Sequence, residues 1–289
     1  MNTRTIGDRT VSAIGLGGMP MSIEGRPDDR SRSIRTIHAA LDAGVTLIDT
    51  ADAYCLGPTE VGHNEILIAE ALAAYGSDTS HVLVATKGGH LRPGDGSWTK
   101  NGDPAYLKSA AKASAARLGV EAIGLYQFHR PDPRVPYADS VGALAELLDE
   151  GVIQMAGISN ASVAQIDEAR AVLGDRLVSV QNEFSPRHTQ SLVELEHCAD
   201  LGIAFLPWSP LGGISRASQV GATSSVMSEI GLAMGVSPYQ VVLAWELSLA
   251  PVVIPIPGAS RPESITDSAR AADLVLDPSD IVRIENYLI

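Results

Sequence analysis

Aromatic residues are scarce in this chain: phenylalanine, tyrosine and tryptophan make up 4% of its 289 residues, against 45% hydrophobic residues overall. The interior must therefore come mainly from alanine, valine, leucine and isoleucine, which suits strands and helices packed closely together. Cysteine is nearly missing. Cys55 and Cys198 are too few for a disulfide framework and lack metal-ligand spacing, so no metal site is expected and a reducing cytoplasm is the expected compartment. Basic residues are outnumbered, 21 Lys and Arg against 34 Asp and Glu, and the formal charge of −13 argues against nucleic acid or an anionic membrane as a partner. Long apolar runs are absent too. The most apolar region, VVLAWELSLAPVVIPIPG, is broken by Glu246, Pro251, Pro255 and Pro257 and cannot be a spanning helix. The opening MNTRTIGDRT has no apolar stretch behind Arg4, so no signal peptide is expected.

What is present is a repeating alternation. Eight short β-rich runs, AIGLGGM, TLIDT, VLVATK, IGLYQF, VIQMAGIS, LVSVQNE, IAFLPW and PVVIPIPG, each end in polar or glycine-containing residues. Between them lie Ala/Leu-rich amphipathic stretches, expected as helices near 31–43, 63–75, 104–118, 139–150, 162–173, 189–201, 238–248 and 261–271. The punctuation supports this: Asp103-Pro104 is an N-cap with proline at the first helical position, and Gly119 closes the same helix. No Gly/Ser linker or charge run divides the chain, so a single domain over 1–289 is expected. Eight strand–helix units point to a parallel sheet with helices outside. Their number favours a (β/α)8 TIM barrel, although pattern alone leaves an open doubly wound sheet standing. Gly7-Asp8 lies between two short alternating runs and predicts an N-terminal β-hairpin closing the barrel bottom. The Gly- and Ser-rich stretch 209–237 is longer than a usual connection and is expected to be an ordered functional loop.

In such a barrel the residues that close each strand face the active site. Here they are Gly18-Met19, Asp49 with Tyr54 five residues on, Lys87, His129, Ser159-Asn160, Gln181-Asn182-Glu183, Trp208-Ser209 and Pro257-Gly258. Each alone has an ordinary explanation: Asp49 as a cap, Lys87 as a surface residue, His129 as a satisfied interior histidine. As a set they fit hydride addition to a carbonyl, in which the oxygen gains negative charge and then a proton. A tyrosine can give that proton. A nearby ammonium such as Lys87 would stabilise the phenolate, Asp49 would fix the ammonium, and His129 would orient the carbonyl oxygen.

GVTLIDTADAY, ATKGG, LYQFHRPDP, GISN, VQNEFSP, PWSPLGG and IPGASRPE together, in this order and along almost the whole chain, resemble the aldo-keto reductase family. The resemblance implies a (β/α)8 barrel that binds NADPH across its mouth without a Rossmann fold and reduces an aldehyde or ketone. By motif position it makes Tyr54 the general acid and completes a tetrad with Asp49, Lys87 and His129. Ser159, Asn160 and Gln181 match positions that hold the nicotinamide carboxamide, Trp208 the aromatic residue stacked on the ring, and Ser209, Leu211 and Gly212 the loop near the pyrophosphate. Gly18-Met19 would pass close to the nicotinamide, and Asp49 stands in the cofactor set as well as the catalytic one.

At the cofactor's far end the chain departs from the common pattern. Gly258-Ala259 replaces a Lys-Ser pair, and Ser264 and Ser268 stand where an Arg and an Asn are usual. Arg261 and Ser260, at the start of the last expected helix, would serve a 2′-phosphate, so NADPH is favoured over NADH. Met21, Trp98 and Phe184 are expected as substrate walls. GLGGMP lacks the G-x-G-x-x-G spacing and is read as a tight strand-end loop. His63, Asn64 and Glu65 are read as a helix start, Asp52 as a turn residue and Cys55 as a small buried thiol. The expected partner is a small carbonyl compound, and the chain is expected to be a monomer or weak homo-oligomer. Two other readings stay open: an NADP(H)-binding redox sensor with little turnover, and a barrel hydrolase or isomerase using Asp49 and Glu183 as paired carboxylates.

Overall fold

The computed structural model describes residues 1–213 and 225–288. Gly7, at φ +57°, turns the chain between β1 (Thr3–Ile6) and β2 (Arg9–Ser12), which pair antiparallel with Ile6 opposite Arg9. Ile6 and Val11 are buried against Leu47, Leu125, Met155, Leu206 and Ile254, so the hairpin supplies an apolar floor to the barrel.

The parallel strands follow in chain order: β3 (Leu16–Gly17), β4 (Leu47–Asp49) and β5 (Leu83–Gly88). A small antiparallel ribbon, β6 (His90–Leu91) with β7 (Thr99–Lys100), interrupts them. Then come β8 (Ile123–Phe128), β9 (Ile153–Ser159), β10 (Leu177–Gln181) and β11 (Ala204–Phe205). The sheet runs β3-β4-β5-β8-β9-β10-β11, seven continuous strands rather than the eight expected. The eighth run, 251–258, closes the ring through isolated bridges, Phe205 with Val253 and Gly17 with Gly258. Its sequence explains why. Ile254 and Ile256 donate towards the β11 side, to the carbonyls of Phe205 and Pro207, whereas Pro255 and Pro257 face β3 and only accept, from Gly15 and Gly17. Two prolines remove two ladder donors from one edge, leaving a closed but thinner seam.

The outer layer comprises α1 (Arg30–Asp42), α2 (His63–Ala73), α3 (Pro104–Leu118), α4 (Tyr137–Asp149), α5 (Val163–Leu173), α6 (Leu192–Leu201), α7 (Ser225–Met234), α8 (Pro238–Leu249), α9 (Pro262–Arg270) and α10 (Pro278–Leu288). The Asp103 carboxylate caps α3 by accepting from the Tyr106 N–H at 2.9 Å, and Ser162 with Gln165 forms a capping box on α5. Among the described residues two helices exceed the expected eight. α10 follows the last unit, and α7 occupies 225–234 within the expected loop 209–237, of which residues 214–224 lie outside the described residues. Among the described residues no single helix is long and apolar enough to cross a membrane.

Ile6→Ala, at a fully buried floor position, is expected to lower the unfolding free energy by about 2–5 kcal/mol. Urea unfolding reads this as a lower midpoint at unchanged slope.

Candidate active site

β4 ends in Asp49, β5 presents Lys87 one residue before its end, and His129 follows β8 directly. Parallel pairing puts Asp49 beside Ala85 and Lys87 beside Gln127, which brings the three to one end of the ring. Tyr54 arrives from the turn after β4. That turn keeps pairing with β5, Thr50 N–H to the Ala85 carbonyl at 2.8 Å and Asp52 N–H to the Lys87 carbonyl at 3.2 Å, so the chain folds back over Lys87.

The Lys87 ammonium is fully buried and donates to Asp49 Oδ2 at 2.7 Å, the Thr50 carbonyl at 2.9 Å and the Tyr54 hydroxyl at 3.0 Å. An ammonium has three donors, and all are used. Burial alone would push the Lys87 pKa down, but Asp49 and Tyr54 outweigh it and hold the group above its ordinary value. For Tyr54 the balance runs the other way: burial pushes the phenol up, and Lys87 only partly offsets this. Asp49 has no spare oxygen for this chain's other donors, because Oδ1 accepts from Gln181 Nε2 at 2.8 Å across the ring. His129 is buried. Loss of solvation, then the charge of Lys87, hold its pKa well below the ordinary histidine value, so the ring is neutral. Its Nδ1 is buried with no partner among the described residues, and its ring meets Tyr54 edge-on with centroids 5.8 Å apart.

Beside this cluster Asn160, in a left-handed conformation at φ +57°, donates through Nδ2 to the His129 carbonyl at 3.0 Å and to Ser159 Oγ at 2.8 Å. The Ser159 hydroxyl and the Asn160 N–H both go to the Gln181 carbonyl. Gln181 Oε1 and Asn160 Oδ1 accept no hydrogen bond among the described residues, and both residues line the cavity described next.

A cavity of 530 Å³ opens over these groups. Of the residues expected from sequence, it is lined by Met19, Asp49, Tyr54, Trp98, His129, Ser159, Asn160, Gln181, Trp208, Ser209, Leu211 and Gly258. Lys87 lies beneath it. Trp98 is both wall and anchor: it lines the cavity, stacks on His90 at 4.6 Å, and has the Arg92 guanidinium 4.3 Å from its ring.

Other expected residues lie elsewhere. Gly18 faces α2, where a Cβ would stand 2.4 Å from Asn64 Oδ1, and Gly17 lines the cavity in its place. Met21 is core, packed with Leu16, Ile37, Ile48 and Leu67, because the short turn Met19–Met21 swings it outward; Ile23 reaches the cavity instead. Phe184 also fails as a wall. Its ring is buried against Phe205 and stacked 5.8 Å from Trp245, where a large apolar surface leaves water. Gly212 borders a separate 280 Å³ cavity, and Gly213 lines the first. Ser260, Arg261, Ser264 and Ser268 are outside the cavity; Arg261 is exposed at the N-cap of α9, while Ser268 is buried.

Two polar groups behind the strands, Asn64 and Glu65, were read from sequence only as part of a helix start. Asn64 accepts from Thr50 Oγ1 at 2.6 Å and donates to the Gly18 carbonyl at 2.9 Å, tying together the loops after β3 and β4. Glu65 is fully buried, accepting from Thr86 Oγ1 at 2.5 Å and Arg117 Nε at 2.6 Å. A signal for Asn64 existed: it shares the helical period of Leu67, Ile68 and Ala71, which form the buried face of α2. Asp52 lies in the turn as expected, but it is buried with Oδ1 unpartnered, and burial, reinforced by Glu65, pushes its pKa up to about 8.

A sequence model described as "Aldo/keto reductase family" matches residues 13–289. An uncharacterised oxidoreductase of Schizosaccharomyces pombe is 34% identical over 286 residues, 98% of this chain and 89% of that protein. Pyridoxine 4-dehydrogenase of Escherichia coli is 32% identical over 284 residues, 95% of this chain and 94% of its own. Among solved structures, an aldo-keto reductase from Klebsiella pneumoniae in complex with NADPH superposes with a TM-score of 0.82 at 23% identity, covering 100% of this chain and 96% of that one. The fold is a (β/α)8 barrel. The chain belongs to the aldo/keto reductase family, a family of oxidoreductases.

Lys87→Met leaves Asp49 charged and buried, and is expected to destabilise the fold by about 3–5 kcal/mol; Lys87→Met with Asp49→Asn should recover much of that loss in urea unfolding. Asp52 titrates higher in the folded chain than its ordinary 3.8. The unfolded chain therefore releases this proton first, and the contribution to stability falls as pH rises from about 4 to about 8. Asp52→Asn is accordingly expected to stabilise by on the order of 2–4 kcal/mol at pH 7, with the gain vanishing towards pH 4 in unfolding curves measured across that range.

Proposed function

We propose that this protein reduces an aldehyde or ketone to an alcohol with NADPH, and that Tyr54 protonates the carbonyl oxygen. The observation that carries this reading is the 3.0 Å hydrogen bond from Lys87 to Tyr54. Because the ammonium donates, the phenol oxygen accepts, and its own hydrogen is free to point into the cavity. Burial keeps the phenol protonated at neutral pH. Once it gives up that proton, the phenolate remains beside a fixed positive charge, a stabilisation that grows as charge moves from substrate to tyrosine.

His129 supports the same step. A neutral ring that lines the cavity can orient a carbonyl oxygen through a hydrogen bond without competing with Tyr54 as a stronger acid. Asp49, held by Lys87 and Gln181, fixes the ammonium and touches no proton of the substrate.

The cofactor fits the remaining lining. The free acceptors Gln181 Oε1 and Asn160 Oδ1 match the amino group of a nicotinamide carboxamide, and Trp208 offers a ring face on the same cavity wall. Arg261, exposed at the N-cap of α9, supports a 2′-phosphate, as does the NADPH complex of the Klebsiella protein. When bound, the reduced nicotinamide supplies a hydride to the carbonyl carbon, which with the Tyr54 proton on oxygen yields the alcohol and NADP+. The paired-carboxylate alternative finds little support, since Asp49 is committed to Lys87 and Gln181 while Glu183 is absent from the cavity lining.

Tyr54→Phe tests the assignment. NADPH, titrated by fluorescence, should bind nearly as before, while carbonyl reduction followed by NADPH oxidation should fall by at least about 100-fold. Near-parental turnover in that variant would sink the role given to Tyr54.

A further inference from the structure

The cavity has a charge balance opposite to that of the chain around it. The protein carries −13 overall, yet among the described residues Asp49 is the sole acid lining the cavity, and both its oxygens are taken. Among the same residues two cations line this space, Arg130 directly after His129 and Lys100 on the β6–β7 ribbon. Neither side chain makes an ion pair or hydrogen bond among the described residues. Other arginines near the mouth are committed: Arg92 pairs with Glu24, and Arg134 with Asp132 at 2.8 Å.

Arg130 is half-buried with its guanidinium 5.8 Å from the Trp208 ring. Glu183 acts on it through space but lies outside the cavity lining and faces His188 at 3.9 Å. The Arg130 donors face the cavity with no protein acceptor among the described residues, and an oxyanion of a bound ligand would replace water there with charge-assisted hydrogen bonds. The positive field also registers on its neighbours. His90 is held down to about 3, by burial first and then by Arg130 and Lys100, so it adds no charge of its own.

We infer that the carbonyl substrate carries an oxyacid anion, a carboxylate or a phosphate monoester, received by Arg130 and Lys100 while its carbonyl oxygen meets Tyr54 and His129. This rests on the reading of the cavity as a carbonyl-reducing site and narrows its substrate class. Guanidinium geometry suits either anion, because both present paired oxygens to a planar fork. Lys100 adds a mobile point charge from the ribbon that also carries Trp98, so an acid group and an apolar ring can be held from one element.

The test uses the full chain with NADPH and matched substrates: 4-carboxybenzaldehyde against its methyl ester, and glyceraldehyde 3-phosphate against glyceraldehyde. The parent protein is expected to favour the charged member of at least one pair by roughly 10- to 100-fold in kcat/KM, and which pair shows it separates carboxylate from phosphate. Arg130→Met should bring that ratio close to one, mainly through KM, and Lys100→Met should lower it less. NADPH affinity should be the same in both variants as in the parent, and salt should weaken only the charged substrates. Equal use of charged and neutral members by the parent overturns the inference. So does an Arg130→Met variant that weakens NADPH binding and both substrates alike, because the cations would then serve the cofactor. Quenching of tryptophan fluorescence, with Trp98 and Trp208 both on the cavity, reads binding without turnover. Tighter binding of 4-carboxybenzaldehyde than of its ester with no carbonyl reduced would refute the reaction and leave the anion subsite standing; reduction without any such preference would do the reverse.

Discussion

A fully buried ammonium, Lys87 Nζ, has to be satisfied at the end of β5, and much of the mouth is arranged around that requirement. Leaving such a charge unpaired would cost several kcal/mol, so each of its three donors has a fixed partner. Asp49 ends the neighbouring strand opposite Ala85, close enough for its Oδ2 to accept from the ammonium at 2.7 Å. Thr50 offers its carbonyl because its N–H is already paired with β5, and Tyr54 comes back over the lysine because the Asp52 N–H continues that pairing. Gln181, from the far side of the ring, holds the second Asp49 oxygen and so couples the lysine to the wall that also carries Ser159 and Asn160. The phenol is thereby placed by the solvation needs of a lysine, and its position over the cavity follows.

That arrangement also needs support from behind. Thr50 and Thr86 point outward from the strands on either side of the site, and each is met by a polar residue of α2, Asn64 and Glu65. An outer wall of this kind is normally apolar, and the bulk of α2 conforms through Leu67, Ile68 and Ala71. The exceptions sit at the mouth end of the helix. The opposite end of the barrel is closed by the hydrocarbon of the N-terminal hairpin. Polarity is thus concentrated at one end and apolar burial at the other, the division that lets one end be strained and reactive while the other holds the ring together.

Much of this division was legible in the sequence. Strand ends were visible because an apolar run that stops at Asp49 or Lys87 has little else to mean in a parallel sheet, and α3 was visible from Asp103-Pro104 and Gly119. The hairpin followed from Gly7-Asp8. The eighth strand was legible as a run but not as a seam, since only the register shows that Pro255 and Pro257 face β3 while their isoleucine neighbours face β11. Side-chain direction was the least legible property. Met21 and Phe184 sit within two or three residues of cavity-lining positions, and a single turn of backbone decides whether such a residue meets ligand or core. Asn64 was hidden for a different reason: a polar residue at a helix start already has a sufficient local explanation as a cap, which masks the buried-face period it shares with Leu67, Ile68 and Ala71.

Two kinds of positive charge stand at the mouth. Lys87, beneath the cavity, is saturated by this chain and can only tune what touches Tyr54, whereas Arg130 and Lys100 keep their donors free among the described residues and can change the energy of what binds. A cation that is satisfied internally has the same effect on every substrate. One that is not must discriminate between substrates that bring an acceptor and those that leave it unpaired, because the difference between those outcomes is a charge-assisted hydrogen bond in a partly desolvated site. On the proposed reading, the saturated lysine would serve the reaction, and the unsaturated pair the choice of what reacts.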